Sequence, residues 1–196
     1  MLDIRCWVLA GILLSPGVWA AEALYGHLPY AEPSADALVT YQGVQLHRDM
    51  LPSLKKMQAA ARKESVNLVV LSGFRSIKRQ NYLFYGIAKK RGQTPVQRAK
   101  VSAPPGHSEH HTGFAIDFDD GDTPVRLEQT FADTKAGKWL AQHATAYGFE
   151  MSFSPNNKQG VLYEPWHWRW VGDAPRCTLF AAARTQHPAQ PAVTCP

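Results

Sequence analysis

The sequence predicts an α+β fold, a single domain in which helices flank a small and mainly antiparallel sheet. Its 196 residues are 45% hydrophobic and 19% charged, which supports one compact core and excludes a disordered chain or a repeat array. Helical patterns come early in the chain and strand patterns come late. The predicted strands follow one another too closely for crossover helices, so we expect them to pair mainly antiparallel.

Capping signals and apolar spacing predict the helices. Asp49 is the predicted N-cap of the first helix, whose apolar residues recur at helical spacing. Ser76 caps the second helix, and Thr94 opens a capping box with proline at the first helical position of the third. Gly148 ends the last helix. The predicted helices span residues 49–65, 76–92, 94 to about 102, and 131–147.

Short apolar runs predict the strands. Residues 67–71 form a branched run bounded by Ser-Gly, which is typical of a buried strand. Residues 113–119 alternate large apolar side chains with small or acidic ones, so Asp117 falls on the polar face of a half-buried strand. Two further strands, 149–153 and 161–164, are predicted to form a hairpin.

The two ends of the chain predict export. Arg5 precedes a short apolar run, a break, and small residues near Ala20, which is the pattern of a cleavable signal peptide. The run is shorter than the ~20 apolar residues that a membrane anchor needs, so we expect no stable anchor. Cleavage removes Cys6 and leaves Cys177 and Cys195, an even pair that predicts a disulfide in an exported chain.

These features divide the chain into four segments and place it in the periplasm or at the cell wall. The net charge of +5 suits an anionic partner such as acidic wall polymer, nucleic acid or membrane, and charge alone does not choose among them. The predicted segments are a signal peptide at 1–20, a leader at 21–37, the main domain at 38–175, and a tail at 176–196 that the disulfide ties down.

Three short stretches carry residues suited to chemistry, and each lies at the start or end of a predicted strand. They are Ser72–Ser76, Ser108–Asp117 and Glu164–Trp168. A catalytic zinc ion takes three protein ligands from histidine and carboxylate and leaves a fourth position for water. His110, Asp117 and His167 can supply that set. A glycine at 113 permits the tight turn that would bring His110 close to Asp117.

Glu164 and Arg75 complete the predicted catalytic set. A carboxylate beside a metal site is the ordinary general base of peptide hydrolysis, which points to Glu164. Pro165 excludes a helix interior, and a straight strand would send Glu164 and His167 to opposite faces, so we predict a bulge or turn between them. The guanidinium of Arg75 could donate two hydrogen bonds to a substrate carboxylate or stabilise an oxyanion. A surface ion pair is nevertheless the commoner role of an arginine.

Other polar and aromatic residues are weaker candidates. Ser108 and Gln80 are possible substrate contacts, but Ser108 could equally satisfy the loop backbone and Gln80 could lie on a solvated helix face. Tryptophans alternate with other residues at 166, 168 and 170, and Trp166 could line the site together with the other two. His107 and His111 are alternative ligands. The histidines at 27, 47, 143 and 187 are assigned to the surface or the core.

At these residues the sequence resembles the VanY-type D-alanyl-D-alanine carboxypeptidases, members of the LAS zinc metallopeptidases with their Hedgehog-like fold. The resemblance runs from about Leu38 to Gly172 and rests on three motifs in order, which are Ser-Gly-aromatic-Arg-Ser, Ser-x-His-x6-Asp and Glu-Pro-Trp-His. It implies one zinc ion on His110, Asp117 and His167, Glu164 as the base, Arg75 stabilising substrate or transition state, and Ser108 contacting the peptide.

Two positions depart from the family pattern. Phe74 stands where the family usually has tyrosine, so a contact through that hydroxyl is lost or replaced. Residues 152–155 read Ser-Phe-Ser-Pro where the family commonly has Arg-Tyr-Pro, and a missing cation there could alter specificity.

The resemblance implies zinc-dependent removal of the terminal D-alanine from peptidoglycan stem peptides, and we expect the protein to be a monomer. L,D-carboxypeptidase, D,D-dipeptidase and endopeptidase activities on the same peptides remain open, as does a noncatalytic zinc-containing wall-binding module. A Ser-x-x-Lys match at Ser53 lacks the partner motifs of a serine peptidase. Basic charge without a binding motif does not support a nucleic-acid partner.

Overall fold

The computed structural model describes residues 22–122, 127–186 and 192–196, and its main feature is one antiparallel sheet. The strands are β1 (Leu38–Tyr41), β2 (Val44–His47), β3 (Val69–Ser72), β4 (Ala115–Asp119), β5 (Phe149–Met151) and β6 (His167–Trp170). Strands β3, β4, β6 and β5 form the main sheet in that order, and β1 and β2 form a separate hairpin. All of these pairs are antiparallel, so the predicted α+β class is confirmed.

Helices cover the sheet and supply most of the remaining core. They are α1 (Leu51–Lys63), α2 (Ile77–Asn81), α3 (Ile87–Arg91), α4 (Pro95–Ala99), α5 (Lys135–His143), α6 (Ala174–Leu179) and α7 (Ala181–Gln186). A π-helical turn at Tyr82–Gly86 joins α2 to α3, which makes 77–91 one interrupted helix. Short 3₁₀ turns flank α5 at Gln129–Asp133 and Ala144–Tyr147, so the predicted helix 131–147 is present in three pieces.

Strand β4 lies in the middle of the sheet and separates the apolar core from the polar site. Ile116 and Phe118 point into the core with Trp168 of β6, while Asp117 points to the opposite face. The prediction of a half-buried strand is wrong, because all five residues of β4 are buried. Its polar face forms part of the wall of an internal cavity instead of meeting bulk solvent.

The capping predictions succeed where the cap has a strong local partner. Ser76 accepts a hydrogen bond from the amide of Arg79, and Thr94 forms the full capping box with Gln97. Asp49 does not cap α1, whose N-cap is Met50 without a side-chain bond. Asp49 forms an ion pair with Arg176 instead, so a distant tertiary partner removes it from its predicted role.

The predicted hairpin of strands 149–153 and 161–164 is wrong. Strand β5 ends at Met151, and its partner is β6, which begins at His167. Residues 161–164 form no strand because their amides bond to separate segments: Leu162 donates to the carbonyl of Lys100, and Glu164 donates to that of Phe153. They cover the site as an irregular loop.

The ends of the chain are only partly described. Cys177 and Cys195 form the predicted disulfide, which joins α6 to the last residues. The predicted signal peptide, 1–20, lies outside the described residues. Among the helices of the described ranges, none has the length and apolar content to cross a bilayer.

Gly113 closes the turn that delivers the histidine-rich loop to β4, and replacing it should be costly. Its φ is +73°, its carbonyl accepts a bond from the amide of His47, and an added Cβ would lie 3.0 Å from that nitrogen. Gly43 has a similar φ of +79° but open space around it. In both alanine variants, a residue with a Cβ must adopt the left-handed backbone conformation, which costs about 1–2 kcal/mol. We expect Gly113→Ala to lose about 1 kcal/mol more from crowding.

Urea denaturation of the two variants measures this difference directly. Equal losses of unfolding free energy at Gly113 and Gly43 would show that backbone conformation, and not close approach to β2, is what requires glycine at the turn.

Candidate metal centre

Three buried side chains from two strands and one turn converge on a single point. His110 lies in a 3₁₀ turn at Glu109–Thr112, Asp117 lies in β4, and His167 is the first residue of β6 and the register partner of Asp117. One ligand atom from each lies within 4.8 Å of the others. His110 Nε2 is 3.2 Å from Asp117 Oδ2, and His167 Nδ1 is 3.0 Å from Asp117 Oδ1. Two imidazoles and one carboxylate match the donor set of a zinc site with an open position.

The backbone fixes which nitrogen His110 presents. Its Nδ1 lies 2.7 Å from the carbonyl oxygen of Gly73, which can only accept a hydrogen bond, so Nδ1 carries the proton. Nε2 therefore presents its lone pair toward Asp117. Burial and the neighbouring Arg75 lower the pKa of His110 to about 4, which keeps the ring neutral and able to bind a metal.

A buried carboxylate orients His167. Its Nε2 is 2.9 Å from Glu109 Oε2, which leaves Nδ1 to face the other two ligands. Glu109 also accepts bonds from Ser152 Oγ at 2.5 Å and from Arg169 Nη1 at 2.8 Å. Burial alone would raise the pKa of Glu109, but Arg169, His167 and Ser152 outweigh it and hold the pKa well below the usual range. Glu109 is thus an ionised acceptor beside a metal ligand, an arrangement that fixes tautomer and ring direction.

Sequence reasoning missed Glu109, although a signal was present. His167 and Arg169 are two apart on β6 and therefore share a face, while Trp168 and Trp170 take the opposite, core face. A histidine and an arginine directed inward on one face require buried acceptors such as carboxylates. The departure at Ser152 also gains an explanation, because its hydroxyl donates to Glu109.

Glu164 lies beside the triad at the edge of the same cavity. A turn at residues 165–166 brings it there, and the amide of His167 donates to the carbonyl of Glu164 at 3.1 Å. The predicted turn between these residues is confirmed. Burial in the cleft raises the pKa of Glu164 to about 8, against the opposing effect of His167. A cation bound at the triad would act in the same direction as His167 and favour the ionised form.

Arg75 faces the triad from the end of β3. Its Nη2 lies 3.5 Å from Asp117 Oδ2 and donates to Ser72 Oγ at 3.1 Å, and its Nη1 donates to Gln80 Oε1 at 3.1 Å. The alternative of a surface ion pair is wrong, since Asp117 is buried. The solvated face considered for Gln80 is wrong too. Its amide is fully buried and donates to Ser102 Oγ and to the carbonyl of Ala103.

The remaining candidates separate into cavity and core residues. Ser108 and Trp166 line the cavity. The wall position considered for Trp168 and Trp170 is wrong, because strand alternation buries both in the core. His111 is no alternative ligand, since its two ring nitrogens bond to the carbonyl of Arg75 and the amide of Gly106. His27 is buried, and its Nε2 bonds to the carbonyl of Ala99.

The cavity has a volume of about 580 Å³ and extends well beyond the triad. Apolar groups, among them Leu83, Phe153 and Val161, make up much of its wall. Besides the ionisable groups at the triad, the wall includes His27, Arg98 and Glu128. A volume of this size, an apolar wall and a few convergent polar groups are typical of a small-ligand site.

Comparisons with known proteins show which families the chain resembles. YodJ of Bacillus subtilis (strain 168) is 37% identical over 130 residues, which are 65% of this chain and 46% of YodJ. A D-alanyl-D-alanine carboxypeptidase of Enterococcus faecalis (strain ATCC 700802 / V583) is 33% identical over 62% of this chain and 46% of its own length. The chain thus spans about half the length of these curated relatives.

Solved structures cover more of the chain. The LdcB LD-carboxypeptidase superposes with a TM-score of 0.68 at 30% identity, over 87% of this chain and 84% of LdcB. VanYB in complex with D-alanine-D-alanine superposes with a TM-score of 0.61 at 25% identity, over 89% of this chain and 94% of VanYB. Residues 43–173 also match the sequence profile of VanY, D-alanyl-D-alanine carboxypeptidase. This chain belongs to the VanY family.

Proposed function

We propose that this protein is a zinc carboxypeptidase that removes the C-terminal D-alanine from peptidoglycan stem peptides. The observation that supports the proposal most directly is the cluster of His110, Asp117 and His167 with Glu164 and Arg75 in one cavity. The donor set fits one zinc ion, and a VanY neighbour has been solved with Zn(II). When bound, zinc supplies a Lewis acid that polarises a carbonyl and lowers the pKa of water.

Glu164 acts as the proton carrier in this scheme. Its ionised carboxylate takes a proton from the water that attacks the scissile carbonyl carbon. The carbon–nitrogen bond then breaks, and Glu164 returns the proton to the leaving amine. Burial raises the pKa of Glu164 and a bound cation would lower it, and these opposing effects suit a group that must accept and release the same proton.

Arg75 supplies fixed positive charge at the same place. Ser72 and Gln80 hold its guanidinium through separate nitrogens, so it is oriented before substrate arrives. Such a fork stabilises an oxyanion or binds the terminal carboxylate of a peptide. Gln80, which the sequence suggested as a substrate contact, acts in this proposal as a positioning residue for Arg75. Ser108 and Trp166, which line the cavity, are the proposed peptide contacts.

An L,D-carboxypeptidase is the second candidate, since LdcB is similar over 87% of this chain. Both activities release one D-alanine and differ in the residue before the scissile bond. We also propose that residues 1–20 direct export, that 38–175 form the catalytic domain, and that the protein acts at the wall as a monomer.

Mass spectrometry of separate digests tests the function and separates the two candidates. Zinc-loaded protein is incubated with muropeptides that end in D-Ala-D-Ala or in a single D-Ala, each with a chelator control. Chelator-sensitive loss of one alanine from the pentapeptide supports the D,D activity, and loss only from the tetrapeptide supports the L,D activity. Cleavage of neither would contradict the carboxypeptidase and favour an endopeptidase or a noncatalytic wall-binding module.

Glu164→Gln should remove turnover and leave the metal site intact. Loss of a general base lowers kcat by about 10²- to 10⁴-fold. Glu128→Gln is the matched control, because Glu128 is an exposed carboxylate that lines the same cavity. Steady-state kinetics and zinc titration of both proteins check the expectation. Full activity in Glu164→Gln would overturn the assignment of the base.

Glu109→Gln should weaken zinc binding specifically. Loss of an outer-shell carboxylate costs about 10- to 100-fold in metal affinity. Because the change also leaves Arg169 with one buried carboxylate fewer, about 3–5 kcal/mol of stability is at risk. Glu150→Gln is the control, since Glu150 accepts from Arg169 Nε at 3.0 Å on the side away from His167.

Competition with a zinc chelator and thermal unfolding, applied to both variants, separate the two effects. We expect similar destabilisation in both variants but loss of zinc affinity in Glu109→Gln alone. Equal zinc affinities would mean that Glu109 is a structural ion-pair partner and does not position His167.

A further inference from the structure

Arg98 is a buried cation on the cavity wall. It lies in α4, is only 8% exposed, and lines the same cavity as the metal triad. Its Nε donates to the carbonyl of Leu83 at 3.1 Å. Across residues 22–122, 127–186 and 192–196, no carboxylate forms an ion pair with it.

Among the residues that the structure describes, Arg98 has no counter-ion, which distinguishes it from the other arginines near the site. Arg169 faces Glu109 and Glu150, and Arg75 faces Asp117. The charged neighbour of Arg98 is Arg91, which repels it, and burial together with this repulsion lowers the pKa of Arg98. Buried arginines are rare unless they are paired, because an uncompensated charge is costly to remove from water. An anion bound in the cavity would supply a charge that no carboxylate of the described residues provides.

A series of packing contacts links α4, which carries Arg98, to the metal triad. The carbonyl of Ala99, the next residue, contacts His27, whose ring lies 6.3 Å from that of Phe153. The ring of Phe153 in turn lies 4.9 Å from that of His167. His27 and Phe153 thus connect the end of α4 to His167, and no triad residue is among the neighbours that shift the pKa of Arg98. A peptide whose C-terminus reaches the triad would present its earlier residues to this part of the wall.

We propose that Arg98 binds a free carboxylate of the stem peptide on the N-terminal side of the scissile bond. This inference rests on the proposed function and adds a determinant of specificity to it. Stem peptides offer such a group at the γ-linked glutamyl residue and, in some walls, at a diaminopimelyl third residue. Amidation removes either charge. The remaining guanidinium nitrogens of Arg98 can bind a carboxylate through two hydrogen bonds.

A purely structural role is the competing explanation. The π-helical turn at Tyr82–Gly86 departs from the regular hydrogen-bond pattern of an α-helix. Arg98 Nε donates to the carbonyl of Leu83 within that turn. In that case, replacing Arg98 would lower activity on every substrate by the same factor. A carboxylate-binding role would lower it selectively, so the ratio between substrates is the informative quantity.

The experiment measures kcat/KM for four pentapeptides with free or amidated glutamyl residue and with lysine or diaminopimelate at the third position. The proteins are wild type, Arg98→Met and Arg91→Met. Arg91 is exposed, so its variant controls for the loss of one positive charge near α4. Wild type and Arg91→Met should prefer one carboxylate over its uncharged counterpart by about 10- to 100-fold, as expected for a charge-assisted hydrogen bond. Arg98→Met should bring that ratio close to one.

The substrate pair that shows the preference identifies which carboxylate binds. A uniform loss in Arg98→Met with an unchanged ratio, or a wild-type ratio near one for both pairs, would overturn the proposal. Thermal unfolding of each variant verifies that it is folded.

Binding separates this inference from the proposed function. Calorimetry with zinc-loaded Glu164→Gln protein, with and without Arg98→Met, measures peptide affinity without turnover. A carboxylate preference in binding that Arg98→Met abolishes would support the role of Arg98 even if wild type cleaved none of the peptides. Cleavage by wild type with no carboxylate preference in either assay would leave the carboxypeptidase standing and refute the role of Arg98.

Discussion

A row of alternating buried charges runs across one face of the main sheet, from the metal triad to the edge strand β5. Asp117 contacts His167, His167 contacts Glu109, and Glu109 contacts Arg169. Arg169 continues to Glu150, which Arg184 of α7 also binds at 3.0 Å. Each member has an opposite charge or a hydrogen-bonding ring on both sides, so the row satisfies groups that would be costly to bury alone. The direction of the metal ligand His167 depends on this row.

The row also gives the C-terminal tail a role in the architecture of the site. Arg184 donates to the carbonyl of Val193 and contacts the sulfur of Cys195, while the disulfide to Cys177 anchors the same segment. The amide of Val193 bonds to Glu150 as well. The tail therefore closes the end of the charge row that lies opposite the metal. A segment outside the matched family range, 43–173, thus stabilises residues inside it.

Motif residues and local caps could be predicted from the sequence because short-range chemistry defines them. Ser76 and Thr94 cap their helices through bonds that span three residues, and Gly113 takes a positive φ in a tight turn. The convergence of His110, Asp117 and His167 followed from ligand type and family motif. Asp49 and the strand predicted at 161–164 failed for the opposite reason, because distant partners outweighed the local preference.

The sequence by itself predicted the fold class, the disulfide and the candidate metal ligands, since each follows from residue type, order and spacing. Only the tertiary structure decided how those residues are held. It turned Gln80 inward to hold Arg75, placed Glu109 behind His167, and put Arg98 on the cavity wall with no carboxylate partner among the described residues. These contacts join residues that are far apart in the chain, or they depend on how deeply other elements bury a side chain. Neither property is encoded in a local sequence pattern.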